Sequence, residues 1–491
     1  MQCAPVHLSL QRTLRAANLK GVEPVAAQRI RKLNDAPLRS GARYVLYWSQ
    51  MNRRADSNHA LQFAIELGHQ QGLPVLCYEG LTCTYLQASD RIHTFMLQAV
   101  PTTAERLRKM GVGYTFYLRS RRTDANDTLY QLARHAAAVV TDDYPVFIAA
   151  GHNASVPRHL DVAYFAVDSS CIVPMSTMVK REYAAYTIRP KIHKLLPQYL
   201  RPAPAGKPEH AWQGELPAFH VEVTPANIAG LVAGCEIDHA VAPSLTYRGG
   251  AVEAERHLQH FLENNLRHYD KVRNEPIRHA TSNLSPYLHF GHISSMQVAL
   301  AATDHAADQQ LDASAFLEEL IVRRELAFNF ARFAKNAQSF EDLPDWARAT
   351  MRQHADDPRD PCFTPEQLEQ AATYDPLWNA TQKELLLRGK IHGYYRMYWG
   401  KKIIEWSATY EEALSTMLHL HDRYALDGRD PNTYTGILWC FGLHDRPWFN
   451  RPIFGVMRYM SFNGMRTKTD TNAYIAEIAT LERTGADPYR L

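Results

Sequence analysis

The chain has 491 residues, 46% hydrophobic and 21% charged, with a formal net charge of +3. That length exceeds what one hydrophobic core serves and calls for two or three domains, and the small net charge means that any nucleic-acid surface must come from local clusters of Arg and Lys. The seven cysteines (Cys3, Cys77, Cys83, Cys171, Cys235, Cys362 and Cys440) contain no CxxC pair, which argues against a zinc ribbon or a disulfide framework. No metal site is expected. The opening residues lack a secretory leader and no stretch approaches a membrane span, so a reducing, cytoplasmic location is the expectation. Short apolar runs at 43–48, 73–80, 111–120, 137–145 and 162–174 alternate with helix-length stretches at 57–70, 88–110 and 126–136. This alternation predicts a Rossmann-like α/β domain with a parallel sheet over 41–175, behind an N-terminal extension of residues 1–40. Five prolines in 195–219 mark an interdomain connector, 176–250. From about residue 250 only helical patterns remain, which predicts an all-α domain over 251–491.

The chemistry-bearing motifs lie in that helical half. In "HATSNLSPYLHFGHIS" (279–294), Thr281, Ser282 and Ser285 crowd hydroxyls ahead of Pro286. Such a first turn suits an anion, commonly a phosphate, or simply N-capping. In "FLEELIVRRELAFNFARF" (316–333), Glu319 and Arg323 stand four apart on a partly apolar helix, as a surface ion pair or as a half-buried acid and base. In 374–414, Thr381 with Glu384 and Thr409 with Glu412 read as capping boxes that delimit two helices. On the first of these helices His392, Arg396, Trp399, Ile403 and Trp406 recur on one face, with Trp378 a turn before the cap. That stripe fits either a helical core or a chain of redox-active aromatics.

The second helix, from about 410, carries Leu414, Met417, His421 and Tyr424 on one face and stops at "ALDGRDP", where Asp427, Arg429 and Asp430 surround a glycine. A charge run at a helix end is ordinarily solvated; alternatively, Asp427 reaches back to Arg396, because a buried carboxylate needs a partner. Finally, 438–470 interleaves Trp439, Trp448, Phe449, Phe454, Tyr459 and Phe462 with Arg446, Arg451, Arg458, Arg466 and Lys468. Bases stack on aromatic rings and phosphates seek Arg and Lys, so this mixture suits DNA as well as it suits an aromatic core with basic solvent positions.

Taken in order, "YVLYW", "EYAAYTIRPKIHKLLPQYL", "SNLSPYLHFGHIS", "EELIVRRELAFNF", "LRGKIHGYYRMYWGKKIIEW", "LDGRDPNTYTGILW" and "HDRPWFNRPIFGVMRYM" resemble the photolyase/cryptochrome flavoprotein family, and most closely its class II cyclobutane pyrimidine dimer photolyases. The resemblance runs through nearly the whole chain from about residue 40. It implies that the helical domain binds FAD, with Tyr269, Thr281, Ser282, Asn283, Leu284 and Ser285 near its phosphates, and with Arg323, Arg396, His421, Asp427 and Asp430 completing the cofactor set. It makes Glu319 the acid that contacts the lesion and Trp439 the ring packed against it. It makes Arg446, Arg451 and Arg458 DNA contacts, and Trp378, Trp399 and Trp406 a photoreduction relay.

The implied reaction is light-driven repair of a pyrimidine dimer flipped out of damaged DNA, by electron transfer from reduced FAD, in a monomer. A cryptochrome-type photoreceptor, or a photolyase-like protein without dimer repair, is the alternative, and a non-catalytic nucleic-acid module a third. An antenna chromophore of deazaflavin type is implied for the α/β domain. The chain departs from the family pattern at His421, where class II members have an asparagine facing flavin N5. It departs again at Asn52 and His59, where an acid and a tryptophan are usual, and at Val456, where a lysine is usual.

Overall fold

The computed structural model describes residues 24–491; Cys3 and the opening residues in which no leader is expected lie outside the described residues. Six strands, β1 (Ile30–Lys32), β2 (Tyr44–Ser49), β3 (Val75–Thr82), β4 (Gly113–Arg119), β5 (Ala136–Asp142) and β6 (Ala163–Val167), form one sheet in the order β1-β6-β5-β2-β3-β4. The four pairings from β6 to β4 are parallel. β2 and β5 are buried at every residue, the pattern of strands covered by helices on both faces. β1 runs antiparallel to β6, with Ile30 opposite Val167. It comes from the 1–40 stretch, and three residues with two cations give no period to read.

The helical run at 88–110 divides into α2 (Asp90–Leu97) and α3 (Val100–Met110), after α1 (His59–Gln71). Pro101 sits in the first turn of α3, where its missing N–H costs nothing. Part of the proline-rich connector is ordered as α4 (Ala185–Tyr199), which contains Pro190 and Pro197. Ile188, Ile192 and Leu196 are buried along one face of α4 and hold it against the core. Residues 200–227 then carry no helix or strand.

Beyond residue 250 the described chain is helical apart from an isolated bridge between Arg451 and Gly455. The helices that build the site are α5 (Ser285–His289), α6 (Arg324–Phe333), α7 (Pro376–Arg388), α8 (Gly393–Trp406), α9 (Tyr410–Tyr424), α10 (Pro431–Cys440) and α11 (Thr471–Thr484). The expected capping box at Thr381 and Glu384 does not exist. Asp375 caps α7 instead, accepting the Leu377 and Trp378 N–H groups at 3.0 Å each, with Pro376 in the first turn. Thr381 lies inside α7 and donates to the Trp378 carbonyl. Glu384 binds Arg388 at 3.1 Å and Tyr474 of α11 at 2.6 Å. The expected single helix from 381 to 406 also breaks, at Gly389 in the left-handed region (φ 79°), and restarts with His392 as the cap of α8. Thr409 does cap α9, accepting the Glu412 N–H at 3.0 Å.

Side chains from α6 join the two halves. Glu325 accepts the Ile172 and Val173 N–H groups at 2.6 and 3.2 Å, and Arg324 donates to the Ser170 carbonyl at 2.7 Å. Gly291 (φ 68°) lies so close to the loop after β2 that a Cβ there would sit 2.1 Å from the Met51 carbonyl oxygen. Glycine is required at that contact.

Candidate functional site

The "ALDGRDP" turn is buried throughout. Arg429 is 1% exposed; its backbone N–H donates to Asp422 at 3.0 Å and its guanidinium to the Ala425 carbonyl at 3.0 Å. Asp430 caps α10 and accepts hydrogen bonds from Tyr144 at 2.6 Å and His289 at 3.3 Å. Asp427 meets Arg396 of α8 at 2.9 Å and accepts a bond from Ser285 at 2.7 Å. The solvated-end expectation therefore fails for every charge in the turn. Burial by itself would raise the Asp427 carboxyl, yet the Arg396 guanidinium, with Lys390 and the Ser285 hydroxyl, holds it well below the usual carboxylate range.

Ser285, His289, Arg396, Asp427 and Asp430 line a cleft of about 370 Å³ together with Tyr269, Ser282, Phe316, Glu319, Arg324, Lys390, Gly393 and Thr433. Of the phosphate-type motif, Ser282 and Ser285 reach the cleft. Asn283 adopts a left-handed conformation (φ 55°) and accepts from Lys390 at 3.1 Å and from the Thr281 hydroxyl at 3.2 Å; Leu284 is buried behind it. Sequence reasoning missed Lys390, Arg324, His289 and Phe316. The signal for Lys390 was "RGK", a cation placed just after a C-cap glycine.

Glu319 stands half-exposed in the cleft wall and pairs with Arg273 at 2.8 Å; Arg273 also lies over the Tyr269 ring at 5.6 Å. The expected Glu319–Arg323 pair is absent. Residues Glu318–Arg323 form a π turn, which moves the i,i+4 partner off the same face. Arg323 instead lies 5.6 Å over the Trp439 ring and 3.6 Å from Glu318, away from the cleft lining.

His421 is fully buried, its ring 6.2 Å from Trp399, and neither ring nitrogen has a hydrogen-bond partner among the described residues. Burial, then Arg396, pushes it down to about 3 despite the opposing pull of Asp427. It is a neutral imidazole at physiological pH. Trp399 donates to Gln382 at 2.8 Å, and the Trp378 indole donates to the Trp399 carbonyl at 3.0 Å. Trp378 and Trp406 are 5.6 Å apart, and Trp406 is 5.5 Å from Tyr374, which is 62% exposed. The aromatic stripe therefore runs from beside His421 to solvent.

The family model for DNA photolyase matches residues 45–209. The chain is 36% identical over 467 residues to the deoxyribodipyrimidine photo-lyase of Methanothermobacter thermautotrophicus, covering 93% of this chain and 99% of that one. It is 35% identical over 473 residues to the protein of the same name from Arabidopsis thaliana, covering 95% of each. The chain belongs to the photolyase/cryptochrome family. Two solved structures share the fold: a Synechocystis cryptochrome (TM-score 0.65, 15% identity, 96% of this chain and 92% of that one) and a class III photolyase from Agrobacterium tumefaciens (TM-score 0.63, 17% identity, 92% of each).

In this photolyase-family chain the loop after α10 carries the exposed basic and aromatic residues. Trp448 lies between Arg446 and Arg458, at 5.1 and 4.6 Å, and Arg451 lies 5.1 Å over Tyr459. Phe449 is 88% exposed. The Val456 N–H donates to Thr350 at 3.0 Å, so the residue closes the loop through its backbone. In the α/β half, Asp142 at the end of β5 accepts the Gln50, Met51 and Asn52 N–H groups at 2.9, 2.7 and 3.0 Å. Asn52 and His59 are both buried there, and burial drives the His59 ring well below its ordinary value.

Proposed function

We propose that the protein is a light-dependent DNA photolyase of class II type that repairs cyclobutane pyrimidine dimers with FAD in the cleft between α5, α8 and α10. The observation that carries this reading is the Arg396–Asp427 pair, its carboxylate buried, in a cleft that Glu319 also lines. The donor set fits FAD. Ser282, Ser285 and Lys390 offer hydroxyls and a cation to the phosphates, and Arg396 and Asp427 present a fixed donor and acceptor for the isoalloxazine edge. When bound and reduced, FAD supplies the photoexcited electron that opens the dimer.

The side chains bind and orient. Arg446, Arg451 and Arg458 meet phosphates, Trp439 packs against the flipped lesion, and Glu319 hydrogen-bonds its base edge. Arg273, paired with Glu319, keeps that carboxylate in place, and the apolar walls keep water out. Trp399, Trp378 and Trp406 conduct electrons between solvent and the cofactor site, with Tyr374 as the exposed end.

The test is illumination of the reduced, FAD-loaded protein with an oligonucleotide carrying one thymine dimer. Light-dependent recovery of the two thymines is expected, and a Glu319→Ala variant should lose most of it. Flavin binding without recovery would instead favour the photoreceptor reading, which His421 in place of the family asparagine is the residue to motivate.

A further inference from the structure

We propose that the segment from Val179 to Tyr186, ahead of and into α4, is a second wall of the DNA surface, where two tyrosines form a stacking shelf for unpaired bases beside the flipped lesion. The inference rests on the DNA reading above and assigns a ligand contact to a stretch that otherwise only connects the two halves.

Val179, Tyr183 and Tyr186 are 88%, 47% and 65% exposed. Large apolar side chains clustered on one surface segment mark an interaction site. The tyrosine rings lie 6.4 Å apart at 63°. The segment is held rigidly: Asn329 accepts the Glu182 N–H at 2.7 Å and donates to the Lys180 carbonyl at 3.0 Å, and Arg181 pairs with Asp342 at 2.7 Å. A shelf fixed in this way loses little entropy when a base lands on it.

Its position ties it to the lesion side. The Tyr183 carbonyl accepts from His444 Nδ1 at 2.6 Å, and the His444 ring packs edge-on against Trp439 at 6.3 Å. The Tyr183 hydroxyl reaches the Asp445 carbonyl at 3.5 Å, next to Arg446. The buried His444 ring therefore links Trp439 to the backbone that carries the tyrosine pair.

Charge selects the occupant. Three nearby acids are neutralised, Glu182 by Lys191, Asp342 by Arg181, and Glu318 by Arg189 at 2.6 Å, and the Asp445 carboxylate is taken up by the Arg446 N–H at 2.9 Å and the Trp448 indole at 3.2 Å. Lys180 and Arg446 have no acidic partner among the described residues. A surface of exposed aromatic rings with unspent positive charge is suited to nucleic acid, where bases stack and phosphates pair. Flipping a dimer leaves unpaired and unstacked neighbours that such a shelf can cap.

The experiment uses the FAD-loaded full chain and a duplex with one thymine dimer and 2-aminopurine placed on either flank. Tyr183→Ala/Tyr186→Ala is compared with Tyr183→Phe/Tyr186→Phe, which keeps both rings. The alanine pair should weaken binding to the dimer duplex by about tenfold and change the 2-aminopurine signal on one flank only, while the phenylalanine pair behaves as the parent. Equal affinity and an unchanged signal in the alanine pair would overturn the shelf. So would altered self-association on gel filtration with DNA binding intact, which would make the patch a contact between copies. If the parent protein itself shows no preference for the dimer duplex, the DNA reading fails and the shelf fails with it.

Discussion

Arg396 and Asp427 meet at 2.9 Å from different helices, and the pair closes only because Gly428 lets the turn fold back on α9. A Cβ at Gly428 would sit 2.7 Å from the His421 carbonyl oxygen. Removing Arg396 takes the main partner from the buried Asp427 carboxylate, and removing Asp427 frees a partly exposed guanidinium to swing away from the cleft. Arg396→Ala and Asp427→Ala are therefore expected to purify with little flavin. The flavin-to-protein absorbance ratio measures this, and a ratio equal to the parent's would remove the pair from cofactor binding. Because the Asp427 carboxyl is depressed, its contribution is full above the unfolded value near 4 and is lost only as pH falls through the lower folded value. Flavin retention should hold from pH 8 down to about pH 5 as far as this pair is concerned.

His421 invites the expectation of a titrating group beside the flavin, and its surroundings remove it. With the ring driven down to about 3, no inflection between pH 5.5 and 8.5 should arise from His421 in the flavin spectrum or in repair. His421→Asn should keep the same pH profile while shifting the midpoint of flavin reduction, because an amide replaces a neutral ring whose nitrogens have no hydrogen-bond partner among the described residues. An inflection near pH 6.5 that vanishes in His421→Asn would show the ring to be charged.

Several other histidines are buried neutral. Burial, as the main cause, pushes His93, His257 and His444 down to about 4, and His292 and His392 to about 3. The unfolded chain binds protons at these sites below about pH 6.5 and the folded chain does not, so stability rises with pH up to that point. Each adds up to about 1.4 kcal/mol per pH unit to the slope between the two values. The urea midpoint should fall steeply from pH 6.5 to 5 and stay flat from 7 to 8. A flat profile across the lower range would contradict the neutral, buried state.

The sequence made the architecture legible because both periods are strong: continuous apolar runs in β2 to β6 and helical stripes after residue 250. The site was legible where chemistry needs a rare residue type, as with Asp427 reaching Arg396. What stayed hidden has local causes. The π turn at Glu318–Arg323 moves Arg323 to Trp439, and no residue pattern announces it. Asp375-Pro376 outcompetes Thr381 as a helix start because an aspartate cap followed by proline is the stronger signal. Lys390 reaches the cleft only because Gly389 ends α7 in a left-handed turn.

The tryptophan stripe separates reduction from repair. Trp399 is the indole next to His421, and Tyr374 is the exposed ring at the other end. Trp399→Phe should abolish light-driven reduction of the bound flavin yet leave repair intact in chemically reduced protein. Tyr374→Phe should slow reduction less, because Trp406 remains beside it. Equal photoreduction in Trp399→Phe and the parent would return the stripe to a purely structural role.

Phe449 is 88% exposed on a loop whose neighbours are basic. Leaving a whole phenyl ring in water has no folding benefit, and DNA-distorting proteins insert such apolar wedges into the stack to hold a base out. The gain depends on a lesion that is already weakly stacked, so the effect should be selective for damaged DNA. Phe449→Ala should weaken binding to a dimer duplex by about tenfold, the scale of one lost stacking contact, with little change for an undamaged duplex, whose binding on the proposed reading rests on phosphate contacts from Arg446, Arg451 and Arg458. Raising salt should weaken both duplexes alike, since charge is untouched. An equal loss for damaged and undamaged DNA would make Phe449 a general surface contact and not a wedge.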